Sequence, residues 1–204
     1  MALALSATLG VGPRVARADT TFFTTRTVLA ELFPRSERVT FRTFVLDPSA
    51  KARVERRLGY ALAKSSYTIF EARTGGVTDG YALIDEELGQ HQPITFATRV
   101  SPRAVVERVE IMVYREPRGD EVRDARFRAQ FAGKTAQSPL RLRQDIDAVS
   151  GATTSSASIA TGVRRAAILI EELELGSNGA ERERRAQQPP PPPGPTAQPS
   201  LARS

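Results

Sequence analysis

The sequence contains no cysteine and a single histidine, His91. The missing cysteine excludes disulfides, iron–sulfur clusters, thiol nucleophiles and haem attachment through Cys-x-x-Cys-His. The scarcity of histidine excludes a histidine-rich metal site. Any redox chemistry must therefore come from an organic cofactor or from a partner's metal. Long apolar runs are also lacking. No segment after the first residues approaches the roughly 18–20 apolar positions that cross a bilayer, and charges interrupt every candidate. Charge is not segregated either: 29 Lys and Arg against 23 Asp and Glu leave +6, interspersed along the chain as on a solvated surface. That pattern speaks against a nucleic-acid partner.

What is present suffices for one domain with tails, since 204 residues with 40% apolar side chains can bury a core. Ala2 to Val11 form an apolar stretch, and Val15-Ala16-Arg17-Ala18 precedes Asp19. This resembles a signal peptide over residues 1–18 with an Ala-x-Ala cleavage site after Ala18, although no basic segment precedes it. The expectation is export, to the periplasm or the outer face of the cytoplasmic membrane. Residues 176–204 contain Glu181-Arg182-Glu183-Arg184-Arg185, the run Pro189 to Pro193, and further prolines at Pro195 and Pro199. Such a composition predicts a disordered, partly polyproline II tail, either a spacer or docking peptide or an unselected extension. The domain proper is then expected over residues 19–175.

Between the tails the hydrophobic period switches repeatedly. Thr25 to Phe33 reads as a short helix stopped by Pro34, Val39 to Leu46 as a strand, and Ser49 to Leu62 as a helix with Val54, Leu58 and Leu62 on one face. Tyr67 to Arg73 and Val77 to Ile84 read as strands joined at Gly75-Gly76, a hairpin turn that permits positive φ. Pro93 to Val100 and Val105 to Tyr114 follow as strands, the latter with Val109, Ile111 and Val113 on one side. From Ser155 to Leu175 the residues Ile159, Val163, Ala166, Ile170 and Leu173 recur at helical spacing, while Arg164, Arg165, Glu171 and Glu172 point elsewhere. Gly176 is placed to act as a left-handed cap. The sum is an α+β fold, a mainly antiparallel sheet with flanking helices and a C-terminal amphipathic helix.

The chemistry concentrates just before that last helix, in Asp147-Ala148-Val149-Ser150-Gly151-Ala152-Thr153-Thr154-Ser155-Ser156. From Ser150 to Ser156 no side chain exceeds threonine, so a ligand could approach the backbone. A helix start also offers unpaired N–H groups and the positive end of the helix dipole, which suit a phosphate. Ser and Thr there can equally be simple helix caps, and spacing alone does not choose. Nothing resembles a substrate-activating triad or a nicotinamide-binding glycine motif.

The segment Asp147 to Thr153 resembles the flavinylation motif of FMN-binding domains, which include the small flavin subunits of Rnf-type and sodium-pumping NADH:quinone oxidoreductase complexes. In that pattern an Asp, a small residue, any residue, Ser or Thr, Gly or Ala, and Ala lead to a Thr or Ser that bears FMN as a phosphoester. Here Asp147, Ala148, Ser150, Gly151, Ala152 and Thr153 match in register, and Thr154 falls one residue late. Weaker landmarks precede them: Gly80-Tyr81-Ala82, Gln90 to Phe96, Tyr114-Arg115-Glu116 and Phe131 to Lys134. The resemblance implies covalent FMN on Thr153, with Glu116 near the flavin or merely a solvated turn carboxylate, and His91 more structural than catalytic. It implies an electron carrier rather than a stand-alone enzyme. A magnesium-dependent FAD:protein FMN transferase would be needed for maturation, since a threonine hydroxyl without a base is a poor nucleophile. Redox partner proteins, membrane-bound or haem-containing, would complete the relay. A noncovalent flavin- or phosphate-binding sensory module and a self-sufficient flavin reductase remain as alternatives. The complex-bound relatives resemble one another in a membrane-spanning anchor that is not expected in this chain, so membership of such a complex is not carried over.

Overall fold

The computed structural model describes residues 20–176. The expected signal segment and residues 177–204 of the expected tail lie outside the described residues. Five long strands form a meander: β2 (Arg38–Val45), β3 (Ser66–Thr74), β4 (Val77–Leu88), β5 (Pro93–Val100) and β6 (Val106–Tyr114), with a two-residue strand β1 (Thr20–Thr21) on the free edge of β6. The order β1-β6-β5-β4-β3-β2 is antiparallel throughout. The β3–β4 turn takes φ +55° at Gly75 and +81° at Gly76, the left-handed pair that the two glycines predict. The α+β architecture expected from the sequence is the one observed.

Local chemistry fixes the helix limits. Helix α1 (Thr25–Leu32) opens with a reciprocal capping box between Thr24 and Thr27. Helix α2 (Pro48–Leu58) starts where Asp47 Oδ1 accepts from the N–H groups of Ser49 and Ala50, at 2.8 and 2.9 Å. It ends at Gly59, whose φ of +81° makes a left-handed cap. The helix is thus shorter than the expected span to Leu62. Leu62 is nevertheless buried, its N–H donating to Glu55 Oε1 at 2.8 Å.

The sheet separates two cores. On one face Val28 and Leu32 of α1, with Phe33 just after it, pack against the small residues Ala72, Ala82 and Ala97 and against Met112. On the other, Ile69, Leu83, Phe96 and Ile111 meet Val54 and Leu58 of α2, Phe127 of the short helix α3 (Ala125–Ala129), and Ile159, Val163 and Ala166 of helix α4 (Thr153–Ile170). Val113 does not share a side with Val109 and Ile111. A bulge at Met112 shifts the register, so that Val113 packs against the α1 face.

Helix α4 is seated by shape and by charge. A Cβ at Gly162 would overlap the Phe96 ring, so glycine lets the helix lie directly on the sheet. Four of its apolar positions, Ile159, Val163, Ala166 and Ile170, are fully buried as the spacing predicts. Arg165, expected to face away, is instead buried at 8% exposure, with Nε donating to Asp85 Oδ2 at 2.8 Å and Nη1 paired with Glu87. Lys64 Nζ completes the cluster 2.9 Å from Asp85 Oδ1. Burial alone would lower the pKa of the guanidinium, but Asp85 and Glu87 outweigh it and push the pKa up. Arg164 donates to the last carbonyls of α2, those of Leu58 and Arg57, while Arg57 pairs with Glu171 at 2.7 Å. The helix continues through a π-helical turn, Glu171–Leu175, and Gly176 stays right-handed at φ −65°. The expected left-handed stop is therefore absent, because the backbone is still right-handed and helical at that glycine.

Removing Arg165 leaves the buried Asp85 carboxylate with Lys64 as its one partner and the half-buried Glu87 without this guanidinium. Arg165→Ala should lower the unfolding free energy by about 3–5 kcal/mol, the cost of breaking a buried ion pair from one side. Chemical denaturation followed by circular dichroism checks this; an unchanged midpoint would contradict the seating role.

Candidate functional site

The candidate motif reaches α4 through a segment held at successive points. Asp145 accepts from the N–H groups of Leu140 and Arg141, at 3.2 and 2.9 Å, and from Lys134 Nζ at 3.2 Å. This clasp closes a turn in which Leu140 and Arg143 take φ of +47° and +62°, a conformation disfavoured for side-chain-bearing residues. Gln130 then fixes Asp147 by its backbone, accepting from its N–H at 2.7 Å and donating to its carbonyl at 3.2 Å. A turn follows, in which Ala152 N–H donates to Val149 O at 3.0 Å and Gly151 sits at φ +77°. Only glycine takes that φ without strain.

The hydroxyls of Ser155 and Ser156 are engaged, and neither caps the first amides of α4. Ser156, fully buried, accepts from Val149 N–H at 3.1 Å and donates to Ala152 O at 2.9 Å, which staples the turn. Ser155, also buried, lies 3.2 Å from Tyr114 Oη, and Tyr114 donates to Arg118 O at 2.7 Å. Burial pushes the Tyr114 phenol up and Ser155 partly opposes it. The N-cap position belongs to Ala152, and no side chain caps it. Ser156 N–H is the first amide to bond within the helix, to Ala152 O at 2.9 Å. The N–H groups of Thr153, Thr154 and Ser155 precede it, uncapped among the described residues. The reading of this serine- and threonine-rich start as self-capping is thereby removed.

Two further segments close a cleft around these amides. The turn after β4 bonds Gly89 N–H to Gln92 O at 2.8 Å, and Glu116 Oε1 accepts from His91 N–H and Gln92 N–H at 2.6 and 3.0 Å. Glu116 is therefore a tie between two segments and not a free turn carboxylate. After it the chain turns through Gly119, buried at φ +85°, where an added Cβ would come within 2.5 Å of Ala152 Cβ and 2.9 Å of Tyr114 Oη. The resulting cleft, about 740 Å³, is lined by Gln90, His91, Glu116, Pro117, Arg118 and residues 151–155. That volume lies in the usual range of small-molecule sites.

Among the expected site residues, Glu116, Gly151, Ala152, Thr153 and Thr154 meet in this cleft. Ser150 is exposed in the turn and outside the lining, and Asp147 opens on a separate hollow with Glu121, Asp124 and Phe127. Thr153 and Thr154 are both exposed, so geometry does not choose between them. Sequence reasoning missed Arg118, Gly119 and the Tyr114–Ser155 contact. The one available signal was the Pro117-Arg118-Gly119 turn beside Glu116. Among the described residues no group of His, Asp and Glu could hold a metal ion.

Comparison with known proteins bears on the same residues. Residues 89–168 match the model of the FMN-binding domain. The matched region holds every residue that lines the cleft, from Gln90 to Ser155. No curated protein matches the chain. Among solved structures, the chain is similar to NqrC of Shewanella oneidensis, with 14% identity, 75% of this chain and 89% of that one covered, and a TM-score of 0.51. It is also similar to one subunit of the Na(+)-translocating NADH-quinone reductase of Parabacteroides distasonis, with 15% identity, coverage of 68% and 78%, and a TM-score of 0.45. The first likeness shows that the FMN-binding match sits in an NqrC-like fold.

The clasp at Asp145 predicts a pH dependence. Burial pushes its carboxyl up, but the N–H groups of Arg141 and Leu140 and the Lys134 ammonium outweigh it and hold it below the ordinary carboxylate range. A depressed acid stabilises the fold above its unfolded pKa of about 4 and loses that contribution as pH falls through the folded value. Asp145→Asn should therefore be less stable than the parent at pH 7, with the gap narrowing as pH drops below about 4. Urea midpoints at several pH values check this; a pH-independent gap would refute it.

Proposed function

We propose that this chain is an electron-transfer flavoprotein domain carrying FMN through a phosphoester on Thr153. The observation that carries the reading is the uncapped start of α4, with three free amides beside Thr153 in a cleft that lies wholly within the FMN-binding match. Two independent features fit the group. An alanine stands where a capping side chain would compete for those amides, and small residues let a phosphate reach the backbone. Bound FMN would supply redox chemistry that no side chain of this cysteine-free protein offers.

The chain's residues would bind and orient. The amides of Thr153, Thr154 and Ser155 offer hydrogen bonds and the positive helix end to a phosphate. Glu116 holds the Gln90–Gln92 wall in place, and Gly119 against Ala152 sets the opposite one. No described base bonds to the Thr153 hydroxyl, which supports attachment by a separate FAD:protein FMN transferase. In that step Thr153 Oγ1 displaces AMP from the FMN phosphorus of FAD and loses its proton. Asp147 and Ser150, outside the cleft lining, would serve that enzyme's recognition of the segment. Redox proteins, membrane-bound or haem-containing, would then exchange electrons with the loaded domain, residues 19–175.

Co-production with such a transferase tests the attachment. Thr153→Ala should remove flavin fluorescence from the denatured protein band, Thr153→Ser should retain part of it, and Thr154→Ala should retain it fully. Because the cap is Ala152, an exposed Thr153 substitution should shift stability by no more than about 0.5 kcal/mol, so loss of flavin would not reflect unfolding. FMN mapped to Thr154 by peptide mass spectrometry would sink the assignment. Flavin held only until denaturation would favour the noncovalent module.

The same proposal places the domain outside the cytoplasm, on the strength of Ala16-Arg17-Ala18 behind an apolar stretch. No described helix is long and apolar enough to cross a membrane. N-terminal sequencing of protein from a fractionated host should find Asp19 first in the periplasmic fraction. An intact Met1 in the cytoplasm would contradict export.

A further inference from the structure

Among the described residues that line the cleft, Arg118 is the one lysine or arginine. Its backbone is fixed on both sides: its carbonyl accepts from Tyr114 Oη at 2.7 Å, and the next residue, Gly119, rests against Ala152. Its guanidinium meets no carboxylate among the described residues. Neighbouring arginines are engaged elsewhere. Arg115 lies 3.5 Å from Glu86 and donates to Pro93 O, Arg128 pairs with Glu110 at 2.6 Å, and Arg123 stacks over the Phe22 ring. The other charged lining residue, Glu116, already accepts two amides. An unpaired arginine on a pinned backbone, facing the same space as the uncapped amides, lacks an anion.

We propose that Arg118 binds the phosphate of FMN esterified to Thr153 and so orients the cofactor; this rests on the reading that Thr153 is the attachment site. A phosphodiester keeps one negative charge and two non-bridging oxygens at neutral pH, which match the planar fork of a guanidinium. The helix amides approach that phosphate from one side and Arg118 from the side of the turn. The residue is a positioning residue. It touches the cofactor's tail and takes no part in electron transfer.

The test compares each protein made with and without the flavin transferase. In the wild type, loading should raise the thermal midpoint, and the rise should shrink as salt screens the exposed pair. The rise should fall by about half in Arg118→Gln, recover in part in Arg118→Lys, and disappear in Arg118→Glu, where two negative charges face each other. The unloaded variants should melt with the unloaded wild type, which separates this effect from a change in folding. Flavin anisotropy in the loaded proteins should fall in the same order. Equal rises on loading in wild type, Arg118→Gln and Arg118→Glu at low salt would overturn the proposal. A wild type that carries no flavin on Thr153 would instead overturn the attachment reading beneath it.

Discussion

The position of the cleft depends on how closely α4 lies on the sheet. Gly162 lets the helix axis approach Phe96, and Arg165 locks the same stretch of helix to Asp85 and Glu87 on β4. The apolar contact sets the distance and the buried ion pair sets the rotation, because a guanidinium with two carboxylates has few orientations that satisfy all its donors. With both fixed near the middle of the helix, its first turn has little freedom. Tyr114 at the end of β6 can therefore meet Ser155, and the turn after β6 can pack against Ala152.

Ten successive residues at the motif divide their tasks by placement rather than by type. Ser150, Thr153, Ser155 and Ser156 carry the same functional group. Yet Ser156 closes a turn, Ser155 contacts a buried tyrosine, Ser150 faces solvent and Thr153 opens into the cleft. Alanine at the cap is the informative choice. A serine there would stabilise the helix by about 1 kcal/mol and occupy an amide. The sequence forgoes that stability at the helix start that borders the cleft, while Thr24 and Asp47 cap α1 and α2 in the ordinary way and the five-residue α3 also lacks a side-chain cap.

Much of the fold was legible because its signals are local. The strand limits of β5, the glycine turn before β4 and the apolar face of α4 follow from period and turn chemistry. The burial of Arg165 was not legible, since a charged residue is excluded from the core only until a partner is known, and Asp85 is 80 residues away. The bulge at Met112 was hidden for a related reason, as one inserted residue leaves the alternation of Val109, Ile111 and Val113 looking intact. At the site, the motif pointed to the helix start that lines the cleft, but Arg118 and Gly119 enter through a contact between distant segments that no single stretch encodes. Asp147 belongs to the same motif and still opens on a different hollow, which a linear pattern cannot express.

The pair of hydrogen bonds accepted by Glu116 has a mechanical meaning. One carboxylate oxygen fastens the hairpin at His91 and Gln92 to the strand end that also carries Gly119, and Gly119 bears on the first turn of α4. Both walls are thus hung from a single strut, and the gap between them is a gauge set when the chain folds rather than a jaw that closes on its guest. Host ordering then adds little to the entropy lost on occupation. A guest that gains or loses an electron would meet the same walls before and after, leaving adjustment to itself and to the surrounding water.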